Sequence, residues 1–352
     1  MREPWADGRH LETVSPTSTP AAMPPGPLLA IENLAVAFDG VSVLRGIDLS
    51  LDRGEALGIV GESGSGKSVT WLAALGLLPS SADVSGRVRL EGRDLLNAPA
   101  ADLDRARGGR VAMIFQDPSS ALNPVIRIGR QVGEVLVRHQ GLSGGSIRAE
   151  VTRLFELVGL PDARRRFDAY PHELSGGQNQ RVMIAMSLAG KPDVLIADEP
   201  TTALDATIQA QILALLTTIR AETSMALVLI SHDLGLVAES CERVVVMYAG
   251  RVVETAPAQE IFSSPRHPYT QGLLAALPPF DGPLRRLVPI DGQVPDPARL
   301  PPGCPFAPRC TKRQSLCETA APPLVQAGVD RLSACVAQIP SYVRPEKVRV
   351  LA

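Results

Sequence analysis

Eight consecutive residues, Gly61-Glu62-Ser63-Gly64-Ser65-Gly66-Lys67-Ser68, fit the pattern G-x-x-x-x-G-K-[ST]. Glycines at this spacing let backbone N–H groups wrap a polyphosphate, and a helix opening behind them adds the partial positive charge of its N-terminus. In such a loop Lys67 reaches the β- and γ-phosphates and the Ser68 hydroxyl ligates Mg²⁺. A Gly-rich turn that merely joins strand to helix is the bland alternative. It is weakened by the complete fit and by its setting, between a strand signal at Ala56–Val60 and a helix beginning near Lys67.

A second constellation is the apolar run Val194-Leu195-Ile196-Ala197 ending in Asp198-Glu199. Two carboxylates leave a strand at its C-terminal end, the edge where open parallel sheets bind ligands. Asp198 is placed to hold Mg²⁺ and Glu199 to act as general base on an attacking water. For Asp-Glu alone a solvated acidic turn is the better account; beside a phosphate loop on the same sheet it is not. Leu174-Ser175-Gly176-Gly177-Gln178 supplies a hydroxyl and unobstructed backbone donors at a helix start, although by itself it could be only an N-cap.

The elements that must position these residues follow from the apolar pattern. Short β-rich runs at 29–31, 34–38 and 47–51, broken by Asp39-Gly40 and Arg53-Gly54, predict antiparallel strands joined by turns. Strand signals at 56–60, 111–115, 194–197, 226–230 and 244–247, with a helical pattern at 208–219, predict an α/β unit whose sheet is largely parallel. Residues 119–175 lack strand character and predict an inserted helical lobe, with Val151, Leu154, Phe155 and Val158 at helical spacing. Beyond residue 260 prolines crowd the chain, marking a small Cys/Pro-rich C-terminal module at 261–352. Residues 1–27 are too polar and Pro-rich to offset their ordering entropy and are expected to be a disordered tail.

Composition narrows the partners. A net formal charge of −2 argues against a nucleic-acid coating protein, and 45% hydrophobic residues argue against a disordered or fibrous chain. The apolar runs are far shorter than the roughly 18 residues a spanning helix needs. Without an apolar signal segment in the first 27 residues, the expected compartment is the cytoplasm.

Taken in order, the phosphate loop, Gln116 after the 111–115 strand, Ser175-Gly176-Gly177-Gln178, Asp198-Glu199, Asp205, and His232 in Ile230-Ser231-His232-Asp233 resemble the ATP-binding-cassette ATPases. The resemblance spans about residues 28–261 and implies a phosphate-loop NTPase core with an antiparallel β subdomain and a helical subdomain. Phe38 matches the aromatic that stacks on adenine, with a core phenylalanine as its rival. Gln116 matches the glutamine that senses γ-phosphate and Mg²⁺, and His232 the switch histidine that orients the water. In that family two cassettes dimerise head to tail, so Ser175, Gly176, Gly177 and Gln178 act on the nucleotide bound by the partner, and Asp205 matches the aspartate of the family's D-loop.

Tyr170-Pro171-His172-Glu173-Leu174, Phe115-Gln116-Asp117-Pro118 and Thr201-Thr202-Ala203-Leu204-Asp205 are similar to the oligopeptide/dipeptide importer branch. So is Pro265-Arg266-His267-Pro268-Tyr269-Thr270, which is similar to that branch's C-terminal extension. The resemblance implies an ATPase at the cytoplasmic face of the membrane. Its partners would be a second cassette subunit, two permeases and, indirectly, an extracytoplasmic binding protein, with peptides as solute. Nickel importers share these features and stay as an alternative; a soluble cassette protein of translation or repair would carry two cassettes or long inserted arms. Asn179 departs from the branch, which usually has arginine there.

Cys304, Cys310, Cys317 and Cys335 are separated by gaps of five, six and seventeen residues. Disulfides are disfavoured in a reducing cytoplasm, and the tight C-x₂₋₄-C pairs of zinc sites are missing. Four thiolates suit a [4Fe–4S] cluster, and similar cysteines in some members of the resembled branch ligate one. Iron–sulfur leads zinc, and unligated thiols stay open. Cys241 is expected to be a buried apolar residue.

Overall fold

The computed structural model describes residues 26–117, 121–201, 205–277 and 288–336. The expected tail up to residue 25, Pro118, and Thr202, Ala203 and Leu204 lie outside them.

Strands β1 (Leu29–Phe38) and β2 (Val41–Leu51) form a hairpin that turns at Asp39 and Gly40, both left-handed. The runs at 29–31 and 34–38 are one strand. Asn33, at φ 47°, makes the bulge between them, and its N–H donates to Asp48 at 2.8 Å. Strand β3 (Ala56–Val60) opens the second sheet and leads into helix α1 (Lys67–Ala74). The chain then returns to the first sheet as β4 (Ala82–Leu90) and β5 (Arg93–Asp94), giving the antiparallel order β2-β1-β4-β5.

Helix α2 (Ala100–Ala106) precedes β6 (Val111–Ile114). The helical lobe follows as α3 (Ile128–Gln140), α4 (Gly145–Leu157), the single turn α5 (Ala163–Arg166) and α6 (Gly176–Leu188). Strand β7 (Val194–Asp198), helix α7 (Ala206–Thr223), β8 (Ala226–Ile230), helix α8 (Leu234–Ser240) and β9 (Arg243–Tyr248) complete the parallel part of the sheet. All residues of β3, β7 and β8 are buried, as strands covered on both faces must be. One apolar core lies between this sheet and the helical lobe, around Val132, Phe155, Ile184 and Leu216. A second lies between the two sheets, around Ile31, Leu44, Trp71 and Val228.

The C-terminal segment does not stand apart. After β10 (Arg251–Pro257), α9 (Ala258–Ser263) and α10 (Pro268–Ala275), the hairpin β11 (Val325–Gly328) and β12 (Arg331–Ser333) pairs onto β10. The main sheet therefore runs β11-β12-β10-β9-β3-β8-β7-β6. Tyr269 and Phe306 are buried in the first core, while the module's own apolar cluster is small, built on Ala307, Cys317 and Val336. A buried ion pair seals the seam: Glu254, wholly buried, accepts from Arg331 at 3.1 Å and from the N–H groups of Arg266 and His267 at 2.7 and 2.8 Å.

Candidate functional site

Sheet order brings the site together. Strands β6, β7, β8 and β3 are parallel neighbours, about 4.8 Å apart. Their C-terminal ends therefore present Gln116, Glu199, His232 and the phosphate loop side by side. The Gln116 amide donates to Glu199 Oε2 at 3.0 Å, and His232 Nδ1 lies 3.4 Å from the same oxygen. Glu199 holds a left-handed backbone, φ 47°, with its N–H donating to Ile230 O at 3.0 Å. For a non-glycine residue such a conformation costs about 1–3 kcal/mol and persists only where the surroundings impose it.

The loop from Gly61 to Ser68 turns through left-handed glycines. A Cβ on Gly61 would stand 2.3 Å from the Met247 carbonyl, and one on Gly66 would stand 2.6 Å from Leu44, so neither position accepts a side chain. Gly66 is the N-cap of α1, and Ser65 and Lys67 are buried, whereas Ser63 and Gly64 are exposed at the loop tip. Lys67 folds back on the loop, its ammonium donating to the carbonyls of Gly61 at 2.7 Å and Glu62 at 3.0 Å. Burial lowers its pKa, opposed by the carboxylates of Glu199, Asp198 and Glu62.

Ser68 hydrogen-bonds Asp198, whose pKa is raised, mainly by burial. A hydroxyl and a buried carboxylate that lacks full charge compensation are hard oxygen donors suited to Mg²⁺.

Ser175 caps α6 in a capping box: its hydroxyl accepts from Gln178 N–H at 3.3 Å and Gln178 Oε1 accepts from Ser175 N–H at 3.1 Å. Ser175 and Gly176 are exposed and Gly177 half-buried. Among the described residues no hydrogen bond joins them to the 61–68 loop. Asp205 caps α7, accepting from Ile208 N–H at 2.9 Å. The buried Gln180 amide reaches Pro200 O at 2.5 Å, tying α6 to the segment after Glu199. Asn179 points to Pro171 O, at 3.0 Å, and its own carbonyl oxygen is buried without a partner. Phe38 is half-buried against the inter-sheet core.

Two contacts to the loop escape any motif. The Tyr269 hydroxyl accepts from Glu62 N–H at 2.7 Å, and the Arg309 guanidinium forks onto the Glu62 carboxylate at 2.7 and 2.9 Å. Tyr269 stands in the Pro-Tyr-Thr run, but nothing local marks Arg309, 247 residues from its partner.

The four C-terminal cysteines share one lobe and none is in a disulfide; Cys304 N–H donates to Cys317 O at 2.8 Å. Among the described residues, no three His, Cys, Asp or Glu side chains are grouped so as to hold a metal ion. Cys304 and Cys317 pack in one small apolar cluster with Ala307, Leu316 and Val336. Burial, then the neighbouring Cys317 and Cys335, push the Cys304 thiol up to about 11. Cys241 is buried beside Gly58, its thiol pushed up to about 12 by burial.

The ABC transporter family matches residues 44–202, and the C-terminal region of the oligopeptide/dipeptide transporter family matches residues 253–317. A Brucella abortus protein named for ATP binding in peptide import is 51% identical over 320 residues, 90% of this chain and 96% of its own. An oligopeptide transport ATP-binding protein of Salmonella typhimurium is 46% identical over 327 residues, 92% of this chain and 97% of its own. A dimeric ATP-binding cassette solved in a post-hydrolysis state with ADP and phosphate superposes with a TM-score of 0.59 at 26% identity, over 65% of this chain and 98% of its own. With its phosphate loop, paired carboxylates and signature serine on one cassette and the peptide-type extension behind them, the chain belongs to the ATP-binding-cassette transporter ATPases, in the oligopeptide/dipeptide branch.

Proposed function

We propose that this chain hydrolyses ATP to power peptide uptake, docked peripherally on the cytoplasmic face of two membrane permeases and paired head to tail with a second cassette. The observation that carries the hydrolytic part is the convergence of Gln116 and His232 on Glu199, at the ends of β6, β8 and β7, in the same sheet as β3, which feeds Lys67 and Ser68. Lys67 exchanges its bonds to the Gly61 and Glu62 carbonyls for the nucleotide's β- and γ-phosphates. Ser68 and Asp198 would hold Mg²⁺, which when bound neutralises charge developing on the phosphates. Glu199 takes the proton of the attacking water, with Gln116 and His232 fixing its carboxylate.

Dimerisation is supported by the exposed Ser175 and Gly176, and by the dimeric state of the similar cassette solved with ADP and phosphate. Permease docking is supported by a groove on the helical lobe lined by Val125, Arg127, Arg130, Val137 and Phe167, where Val125 and Val137 are exposed. Among the described residues no helix is long and apolar enough to cross a membrane, in keeping with a peripheral subunit. Four cysteines in one lobe, none in a disulfide, support metal ligation there as a structural staple, iron–sulfur ahead of zinc.

Reconstitution with its permeases in vesicles tests the proposal: ATP-dependent accumulation of a labelled di- or oligopeptide is expected. Uptake of nickel without peptide would move the chain to metal import, and hydrolysis unaffected by any permease would detach it from transport.

A further inference from the structure

We propose that Arg309 and Tyr269, both in the C-terminal module, are positioning residues for the phosphate loop, and that through them the module sets the affinity for nucleotide. This rests on the ATP-binding reading above and deepens it.

Glu62 is the second residue of the loop, one position from a backbone turn that accepts no side chain. Its carboxylate is a liability at a polyphosphate site, because a like charge beside the incoming anion opposes binding. The Glu62 charge already reaches the Lys67 ammonium. Arg309 answers it with a two-point fork, the strongest common carboxylate partner. Its remaining donors are also satisfied: Nε donates to Asp291 O at 2.8 Å, Nη1 to the Tyr248 hydroxyl at 3.3 Å and Nη2 to Ile290 O at 3.4 Å. Only 5% of the Arg309 side chain is exposed, so the guanidinium is fixed from behind by Asp291 and Ile290 of the module and by Tyr248 of β9, and is delivered to the loop.

Tyr269 acts on the same residue from the other side. Its hydroxyl takes the Glu62 N–H, while its ring is locked against Tyr248 and Phe306, with centroids at 4.6 and 5.3 Å. The two contacts grip the entrance of the loop and leave the N–H groups nearer α1 for phosphate. Lys67 meanwhile holds the Glu62 carbonyl, so the residue that Arg309 fixes is also the one Lys67 must release. The clamp keeps the loop's entrance in place when that bond is exchanged, and it keeps a carboxylate turned out of the phosphate site.

The test is titration of the full-length chain with a fluorescent Mg-ATP analogue, with thermal unfolding recorded for every variant. Arg309→Met should weaken binding about tenfold, the scale of one uncompensated charge near the ligand. Glu62→Gln/Arg309→Met should recover to within about threefold of wild type, because the repelling carboxylate has gone. A merely structural role would leave the double variant no better than the single one, and that result overturns the proposal. So does wild-type affinity in Arg309→Met. If Arg309→Met fails to fold, Tyr269→Phe, which keeps the ring packing, decides: about threefold weaker binding at unchanged melting supports the clamp, and unchanged binding overturns it. Wild-type chain that does not bind the analogue would remove the ATPase reading itself, a result distinct from a failure of the clamp alone.

Discussion

The Gln116 amide donates a 3.0 Å hydrogen bond to Glu199 Oε2, joining the ends of β6 and β7. The proposed general base is thus held by a residue just beyond the end of the neighbouring strand. Glu199→Gln is expected to keep Mg-ATP binding and to cut turnover by about 10² or more, because the amide preserves shape and cannot take a proton. Gln116→Ala should lower turnover by about tenfold with little change in binding, since it loosens the base without removing it. Steady-state hydrolysis in the assembled transporter and nucleotide titration separate the two effects; equal turnover in Glu199→Gln and wild type would refute the base assignment.

Ser175 has a local duty and a proposed remote one. Ser175→Ala removes the cap on α6 and should cost about 1 kcal/mol of stability, read by denaturant unfolding. Ser175→Arg adds a bulky cation where, in the proposed dimer, a partner's γ-phosphate would sit, and should abolish ATP-driven dimerisation while the monomer still binds nucleotide. Loss of monomer binding would show that the serine serves its own phosphate loop.

His267 couples acid stability to the C-terminal seam. Its Nδ1 accepts from Tyr269 N–H at 3.1 Å, the ring also hydrogen-bonds the Ala334 backbone, and burial lowers its pKa to about 4. The unfolded histidine titrates near 6.5, so below that pH the unfolded state binds a proton that the folded state refuses. This contribution to stability is complete above pH 6.5 and is lost as pH falls towards 4, by about 3 kcal/mol in all. Asn at this position can still cap α10 but does not titrate. Denaturant unfolding of His267→Asn from pH 7 to 4.5 should therefore be flatter than that of wild type; parallel curves would remove the histidine from the account.

Metal content decides the cysteine lobe. Anaerobically purified protein is expected to show broad visible absorption and about four irons per chain, both lost in Cys310→Ser. Stoichiometric zinc without iron would replace the cluster with a structural zinc site. Metal-free protein of full stability would leave Cys304 and Cys317 as the packing residues their apolar neighbours describe.

The phosphate loop, Asp198-Glu199, Ser175 and His232 were legible because each is specified within a few residues: a strand end, a glycine turn, a cap. Strand β8 is legible to its ends because its five residues are all apolar and all buried. Strand β4 is not legible. Its exposed positions Asp83, Ser85 and Arg87 and the left-handed Gly86 disguise a strand whose partner, β1, lies about 50 residues earlier. The hairpin β11–β12 is hidden for a related reason, being short and made a strand pair only by the waiting edge of β10. Arg309 was illegible altogether, since a contact across 247 positions leaves no local pattern.

The hairpin β11–β12 also decides what the sheet shows to other molecules. Strand β10 carries Val252, Val253 and Ala256, all buried, and without β12 it would be an open, apolar margin of unpaired N–H and C=O groups. Such margins recruit strands from other chains. The outermost described strand on this side is instead Val325–Gly328, four residues of which two are exposed, a poor template for further pairing. A chain shortened to the cassette alone would therefore be expected to self-associate during expression, a solubility failure distinct from loss of nucleotide binding.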